Sequence, residues 1–102
     1  MIFTESASFA RDVYAFLSED ALMELERNLM ESPDSGDLIP GSRGLRKLRV
    51  ASGGKGKRGG ARVIYYWYVV PEKIHFCRIY GKSNQEDLSP KEVRQILKEI
   101  SP

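Results

Sequence analysis

RVIYYWYVV, residues 62–70, is the stretch that decides the fold. β-Branched and aromatic residues fill it, which is typical of a β-strand, and no polar residue interrupts them after Arg62. Such a strand is expected at the centre of a sheet, with both faces at least partly covered. Pro71-Glu72-Lys73 predicts a turn, and residues 74–81 predict a further strand after it.

The rest of the chain supplies two more strands and three helices. Residues 45–50 predict a strand, and Ile2-Phe3 predict a short edge strand. Apolar residues at helical spacing predict a helix over residues 8–17 and a second helix between Ser18 and Pro33. Ser89-Pro90-Lys91-Glu92 is a capping box that begins the last helix. We expect an α+β fold: a small twisted antiparallel sheet of about four strands, two N-terminal helices and one C-terminal helix, with the helices on one face.

Length and composition exclude several classes of protein. The 102 residues are enough for one domain, residues 1–102, and 41% of them are apolar. No apolar run approaches the ~20 residues of a membrane span, and residues 1–9 hold no Lys or Arg, so no signal peptide is expected. One cysteine and one histidine exclude an internal disulfide, a zinc site built from cysteines and a His-rich metal site. We therefore expect a cytoplasmic protein with no membrane partner, no metal and no other cofactor.

Charge is distributed unevenly along the chain. Residues 1–40 carry a net charge of −7, residues 41–71 carry +8 with no acid at all, and residues 72–102 carry +1. One segment is therefore strongly cationic while the remainder is acidic to neutral. This asymmetry indicates a polyanionic partner for one face of the domain.

A glycine-rich loop lies inside the cationic segment. Residues 53–60 read GGKGKRGG and carry Lys55, Lys57 and Arg58. The loop contains the spacing G-x-G-x-x-G, but it leads into a strand rather than a helix, which excludes a dinucleotide site. Two interpretations stay open: a phosphate-binding loop, or a solvated loop whose charge prevents aggregation.

Strand pairing is expected to gather these cations into one concavity. A hairpin around the loop brings residues 46–49 near Arg62, and pairing through the Pro71 turn brings Lys82 near Arg62. The predicted cluster is Lys55, Lys57, Arg62 and Lys82, with Tyr80 or Tyr66 available to stack on a base. The alternative for each tyrosine is packing within the sheet.

A cluster of Lys and Arg suits one reaction in particular. RNA carries its own nucleophile, the 2′-OH, so an enzyme needs only to orient it, move two protons and offset charge on the phosphorane. Neighbouring cations favour the neutral form of lysine, which then acts as a base. Because alternation places His75 opposite Tyr80 and Lys82, we expect it to be structural, and Cys77 to be a small buried residue.

Several segments together resemble the RelE/HigB toxins of bacterial type II toxin–antitoxin systems, nearer the HigB-like branch. They are GDLIPG at 36–41, GLRKLR at 44–49, GKGKRGG at 54–60, RVIYY at 62–66 and IYGK at 79–82. The resemblance covers almost the whole chain in the same order. It implies a RelE-like fold and a ribosome-dependent endoribonuclease that cuts mRNA in the ribosomal A site without metal.

The resemblance also implies residue roles and partners. Arg62 resembles the arginine that contacts the scissile phosphate, Lys55 and Lys57 resemble the base and electrostatic clamp, and Lys82 stands where the family keeps a basic residue. Ser83 and Ser89 stand where some members have an arginine and a tyrosine, with Tyr80 and Arg58 as substitutes. The expected RNA-binding residues are Arg46, Lys47, Arg49, Arg58 and Tyr80.

The implied partners are a cognate antitoxin, the ribosome and mRNA, with DNA bound only through the toxin–antitoxin complex. The alternative is a non-catalytic RNA- or ribosome-binding module that uses the same basic patch.

Overall fold

The computed structural model describes residues 1–51, 60–82 and 87–100. The elements in chain order are β1 (Ile2–Glu5), α1 (Ala7–Asp12) with a 3-10 turn (Val13–Ala15), α2 (Glu19–Glu31), β2 (Asp37–Leu38), β3 (Leu45–Val50), β4 (Ala61–Tyr68), β5 (Lys73–Gly81) and α3 (Pro90–Ile100). No helix within these ranges is long and apolar enough to cross a membrane.

The strands form one five-stranded sheet in the order β1-β5-β4-β3-β2. The α+β class and the central position of β4 are confirmed. The sheet differs in two details from the expected antiparallel sheet of about four strands. First, β1 pairs with β5 in parallel, because the chain passes through α1 and α2 after β1 before it reaches the other strands. Second, the two-residue strand β2 pairs with β3 as a fifth strand.

Helices cover both faces of the sheet, so the expectation that they lie on one face is wrong. On one face α1 and α2 pack Phe9, Leu25 and Leu29 against Val63 and Tyr65 of β4. The opposite face forms a second cluster with α3, made of Leu45, Ile64, Cys77, Tyr80 and Ile96. Because β4 is apolar on both sides, it needs a covering layer on each.

The predicted helix starts are confirmed at two caps. The Ser18 hydroxyl accepts a hydrogen bond from the amide of Ala21 at 3.1 Å, which begins α2. At α3 the Ser89 hydroxyl accepts from the amide of Glu92 at 3.1 Å, and the Glu92 carboxylate accepts from the amide of Ser89 at 2.9 Å. This reciprocal pair is a complete capping box, and it fixes the chain that enters α3.

A β-bulge interrupts the alternation of side chains along β5. Arg78 is opposite Ile64 and Phe76 is opposite Tyr65, so Cys77 has no residue opposite it on β4. As a result Phe76 faces α1 and α2, while both Cys77 and Tyr80 pack in the cluster beneath α3. Uniform alternation, from which His75 was assigned the opposite parity to Tyr80, is therefore wrong across the bulge.

Candidate functional site

A cavity of about 380 Å³ lies at the end of the sheet where β3 stops and β4 starts. Four basic residues line it: two from β3, one from β4 and the residue that follows β5. Two acidic residues complete its wall. The lining residues are Asp37, Lys47, Arg49, Arg62, Lys82 and Asp87.

Strand register accounts for the gathering of the cations. Arg49 of β3 is directly opposite Arg62 of β4, and Arg62 is directly opposite Tyr80 of β5. Lys47 precedes Arg49 by two residues and therefore shares its face, while Lys82 follows Tyr80 by two residues. Arg62 and Lys82, expected together from the sequence, do lie together, and Lys47 and Arg49 join them.

Arg62 differs from its neighbours in burial. Its exposed fraction is 7%, whereas Arg49 and Lys82 are exposed. A buried guanidinium is held in a defined place by its surroundings, and its charge is screened less by solvent than an exposed charge. Arg62 is thus a fixed cation at the base of a cavity whose rim includes the exposed side chains of Arg49 and Lys82.

Two acidic residues in the wall lie beside Lys47. Asp37 is opposite Lys47 in the pairing of β2 with β3, and Asp87 forms an ion pair with Lys47 across the cavity wall. Both lie outside the acid-free segment 41–71, and the sequence did not predict their contacts with Lys47. With only two residues, β2 is too short to show the alternation that indicates a strand, so its pairing with β3 could not be predicted from the sequence.

Tyr80 is not available as a stacking platform. Its exposed fraction is 8%, and its ring packs in the cluster beneath α3. Burial raises the pKa of Tyr80 to about 12; the Asp87 carboxylate adds to the rise and the Arg62 guanidinium opposes it. The prediction that the Tyr80 ring stacks on a base is therefore wrong, because α3 covers the ring that the sheet alone would have left open.

Arg46 is also separate from the cavity. Its Nη1 donates to the carbonyls of Asp34 at 3.2 Å and Gly36 at 2.8 Å, so it ties down the segment before β2. Neighbouring strand residues point to opposite faces, which puts Arg46 on the other side of the sheet from Lys47. The expectation that Arg46 belongs with the RNA-binding cations does not fit this placement. Lys55, Lys57 and Arg58 lie outside the described residues.

Cys77 and His75 have structural surroundings. The Cys77 thiol is 1% exposed, and burial raises its pKa to about 12, so it is a poor nucleophile at neutral pH. His75 Nδ1 shares a hydrogen bond of 2.7 Å with the hydroxyl of Thr4 on β1. Burial also lowers the pKa of His75, with Lys73 acting in the same direction. The Thr4–His75 hydrogen bond links β5 to β1, and neither His75 nor Cys77 lines the cavity.

The cavity suits an anionic, extended ligand. Four cations against two carboxylates leave a net positive wall, and the buried Arg62 offers planar, bidentate hydrogen bonding of the kind that phosphate accepts. Its open rim of Lys and Arg can follow a chain of phosphates rather than enclose a single one.

Comparison with known proteins identifies a family and a structure with the same fold. Residues 5–101 match the family described as "RelE toxin of RelE / RelB toxin-antitoxin system". A free-state structure of a double-alanine mutant of the E. coli toxin RelE superposes with a TM-score of 0.61 at 12% sequence identity, covering 97% of this chain and 96% of that chain. At that identity the superposition shows a shared fold.

Proposed function

Because the chain belongs to the RelE toxin family, we propose that it is a ribosome-dependent endoribonuclease that cuts mRNA in the ribosomal A site. The observation that carries the proposal is the convergence of Lys47, Arg49, Arg62 and Lys82 on one open cavity. These are the side-chain types that bind an RNA backbone, and one of them is buried. The closer likeness to HigB-like toxins stays a prediction from the sequence.

The proposed reaction uses the RNA's own hydroxyl. The 2′-oxygen attacks the adjacent phosphorus, the bond from phosphorus to the 5′-oxygen breaks, and the products are a 2′,3′-cyclic phosphate and a free 5′-OH. One proton leaves the 2′-OH and one is delivered to the departing 5′-oxygen, so the step needs no external nucleophile. Charge that accumulates on the phosphorane is the quantity that fixed cations stabilise.

The residues divide naturally between these tasks. Arg62 is proposed to hold the scissile phosphate, because it is buried and its guanidinium is fixed before RNA arrives. Arg49, Lys47 and Lys82 hold the flanking phosphates from the rim. Lys55 and Lys57, in the segment between β3 and β4, are proposed as the base and a further clamp. Cations crowded together favour the neutral amine that accepts a proton.

The proposal includes two partners. The ribosome presents the mRNA in an extended, unpaired form, and the cationic cavity meets its phosphates. A cognate antitoxin is proposed to neutralise the enzyme by occupying or masking this cavity, for which an acidic segment has the complementary charge.

Primer extension on mRNA in programmed ribosomes tests the proposal. Added wild-type protein is expected to produce new ends at A-site codons, and the upstream fragment should end in a 2′,3′-cyclic phosphate. Arg62→Gln should reduce the cleavage rate by at least ~10²-fold, since it removes the buried charge that faces the phosphorane. Lys98→Gln, an exposed cation on α3 outside the cavity, is the matched control and should cleave normally.

Cleavage that is unchanged in Arg62→Gln contradicts the assignment of the site. Wild-type binding to ribosomes without any new RNA ends contradicts the enzymatic proposal and supports the non-catalytic binding module instead. In that case the affinity for ribosomes or RNA should fall steeply as the salt concentration rises, because phosphate contacts release counterions.

A further inference from the structure

Two side chains on the face of the sheet opposite the cationic cavity hold the segment that leads into β2. Arg46 of β3 and Tyr65 of β4 are directly opposite each other in the strand pairing. The Tyr65 hydroxyl accepts a hydrogen bond from the amide of Gly36 at 2.8 Å and donates one to the carbonyl of Pro33 at 2.8 Å. Arg46 donates to the carbonyls of Asp34 and Gly36. Two side chains thus bind this segment through hydrogen bonds to three of its residues.

The segment also packs closely against both side chains. Gly36 is buried, and a Cβ there would lie 2.8 Å from Cε1 of Tyr65 and 3.1 Å from Cβ of Arg46. Tyr65 is fully buried, and burial raises the pKa of its hydroxyl, so the group keeps the proton that it donates. The backbone at Gly36 is therefore held by close contact as well as by hydrogen bonds.

This segment determines the position of Asp37, which follows Gly36 and begins β2. The strand has two residues and lies at the edge of the sheet, with β3 as its neighbour. Two residue pairs contribute little pairing energy, so β2 depends on its flanking segments for its place. Opposite residues of an antiparallel pair share a face, so Asp37 lies beside Lys47 in the wall of the cationic cavity.

Asp37 opposes the charge of the cavity that it lines. Its side chain is exposed, and it stands in a wall that four cations dominate. A carboxylate at this place attracts the Lys47 ammonium and repels an incoming phosphate, and both effects lower the affinity of the cavity for RNA. Charge, rather than packing, is what this exposed residue adds to the wall.

We propose that the Asp37 carboxylate limits the affinity of the cationic cavity for RNA phosphates, and that Tyr65 and Arg46 are positioning residues that hold it in the wall. An enzyme that cuts successive messages must release each product, and product release often limits turnover. A carboxylate that weakens phosphate binding favours that release. The inference rests on the proposed function, because it takes the ligand of the cavity to be RNA.

Equilibrium binding to ribosomes programmed with an mRNA that carries 2′-O-methyl groups tests the inference without cleavage, since the methyl group blocks the attacking oxygen. At low salt, Asp37→Asn should bind about threefold more tightly than the wild type, the effect of one unit charge that acts on a phosphate through water. The difference should shrink as the salt concentration rises, because salt screens exposed charges.

Tyr65→Phe tests the positioning role. It keeps the buried ring but removes both hydroxyl hydrogen bonds, so it should release the segment before β2 and also raise the affinity. In the Asp37→Asn background it should have no further effect, because the carboxylate that it positions is already absent. Tyr68→Phe is the matched control on the same strand: it removes a hydrogen bond to the carbonyl of Ile100, outside the cavity, and should leave the affinity unchanged.

Gly36→Ala is a second variant for the same role, because its methyl group displaces the segment by contact with Tyr65. Equal affinity of Asp37→Asn and the wild type, including no binding by either, overturns the limit on affinity. Weaker binding in Tyr65→Phe and Gly36→Ala, or an equal effect of Tyr65→Phe in both backgrounds, overturns the positioning role. Tighter binding by Asp37→Asn with unmodified mRNA left intact contradicts only the endoribonuclease, whereas cleavage with unchanged affinity contradicts only this inference.

Discussion

Arg49 of β3 and Arg62 of β4 are directly opposite each other in the antiparallel pair, and both line the cationic cavity. Like charges in directly opposed positions destabilise a sheet by a few tenths to about 1 kcal/mol. A sheet selected only for stability would place a β-branched or oppositely charged residue at one of these positions. The pair is what the proposed function requires, because two guanidinium groups beside one another bind a phosphate chain.

Arg49→Gln is expected to increase stability while it weakens RNA binding. The change removes the repulsion on Arg62, so the free energy of unfolding should rise by up to about 1 kcal/mol. One phosphate contact is lost, so the slope of log affinity against log salt should become shallower by about 0.7 for single-stranded RNA. Urea unfolding and a salt titration of binding measure the two effects.

Lys98→Gln provides the comparison for both measurements, since it removes one exposed cation that does not line the cavity. A loss of stability in Arg49→Gln, or an unchanged salt slope, would show that Arg49 serves the fold rather than the ligand.

Gly60→Ala is expected to disturb the point where the chain enters β4, directly after the segment that contains Lys55 and Lys57. Gly60 has φ of +64°, and a Cβ there would lie 2.1 Å from the carbonyl oxygen of Val50, the residue at the end of β3. Backbone must move to admit the methyl group, so the cost should exceed the 1–2 kcal/mol of left-handed strain alone.

Gly41→Ala separates strain from clash. Gly41 also has positive φ, at +72°, but a Cβ there meets nothing within 4 Å. Urea midpoints should therefore fall much less in Gly41→Ala than in Gly60→Ala. Similar decreases of the urea midpoint in the two variants would mean that the close approach of Gly60 to Val50 does not affect stability.

Ser89→Ala should destabilise the domain by about 0.5–2 kcal/mol, the usual cost of losing an N-cap. The variant leaves the Glu92 amide without its side-chain acceptor and loosens the chain that leads from Asp87 into α3. Unfolding in urea measures the cost. Ser89→Asp keeps a cap acceptor and should restore most of the stability; equal losses in both variants would contradict the capping role.

Stability is expected to fall as pH rises above about 9. Burial raises the pKa of Cys77 to about 12 in the folded protein, while the thiol of the unfolded chain titrates near its ordinary value. Between those values the unfolded chain has lost a proton that the folded protein keeps, so the free energy of unfolding decreases by up to about 1.4 kcal/mol per pH unit. In Cys77→Ala the free energy of unfolding, measured with urea, should decrease less steeply with pH than in the wild type. Equal slopes in the two proteins would show that Cys77 ionises freely in the folded state.

Local patterns were sufficient for most of the elements. The β4 stretch has only one reasonable environment, because a strand that is apolar on both faces must lie between two covering layers. Ser18 and the Ser89–Glu92 box mark helix starts by hydrogen bonds within four residues, which sequence shows directly. The sequence also predicted that Arg62 and Lys82 lie close together, because two strands joined by a short turn can pair in only a few registers.

Pairings between distant segments were not predictable. The parallel partnership of β1 with β5 depends on where α1 and α2 pack, and the bulge at Cys77 shifts alternation without leaving a glycine or proline as a marker. The burial of Tyr80 depends on α3, and the placement of Arg46 depends on carbonyls of the segment before β2.

By itself, then, the sequence determined four of the five strands, the helix caps and a cationic segment, since each depends on residues that are close in the chain. Tertiary structure alone decided which cations share a cavity and brought Asp37 and Asp87 beside Lys47. The physical reason is that charge acts through space, whereas the signals of secondary structure act along the chain. Only the packed sheet, with α3 capped against it, fixes the distances on which binding and proton transfer depend.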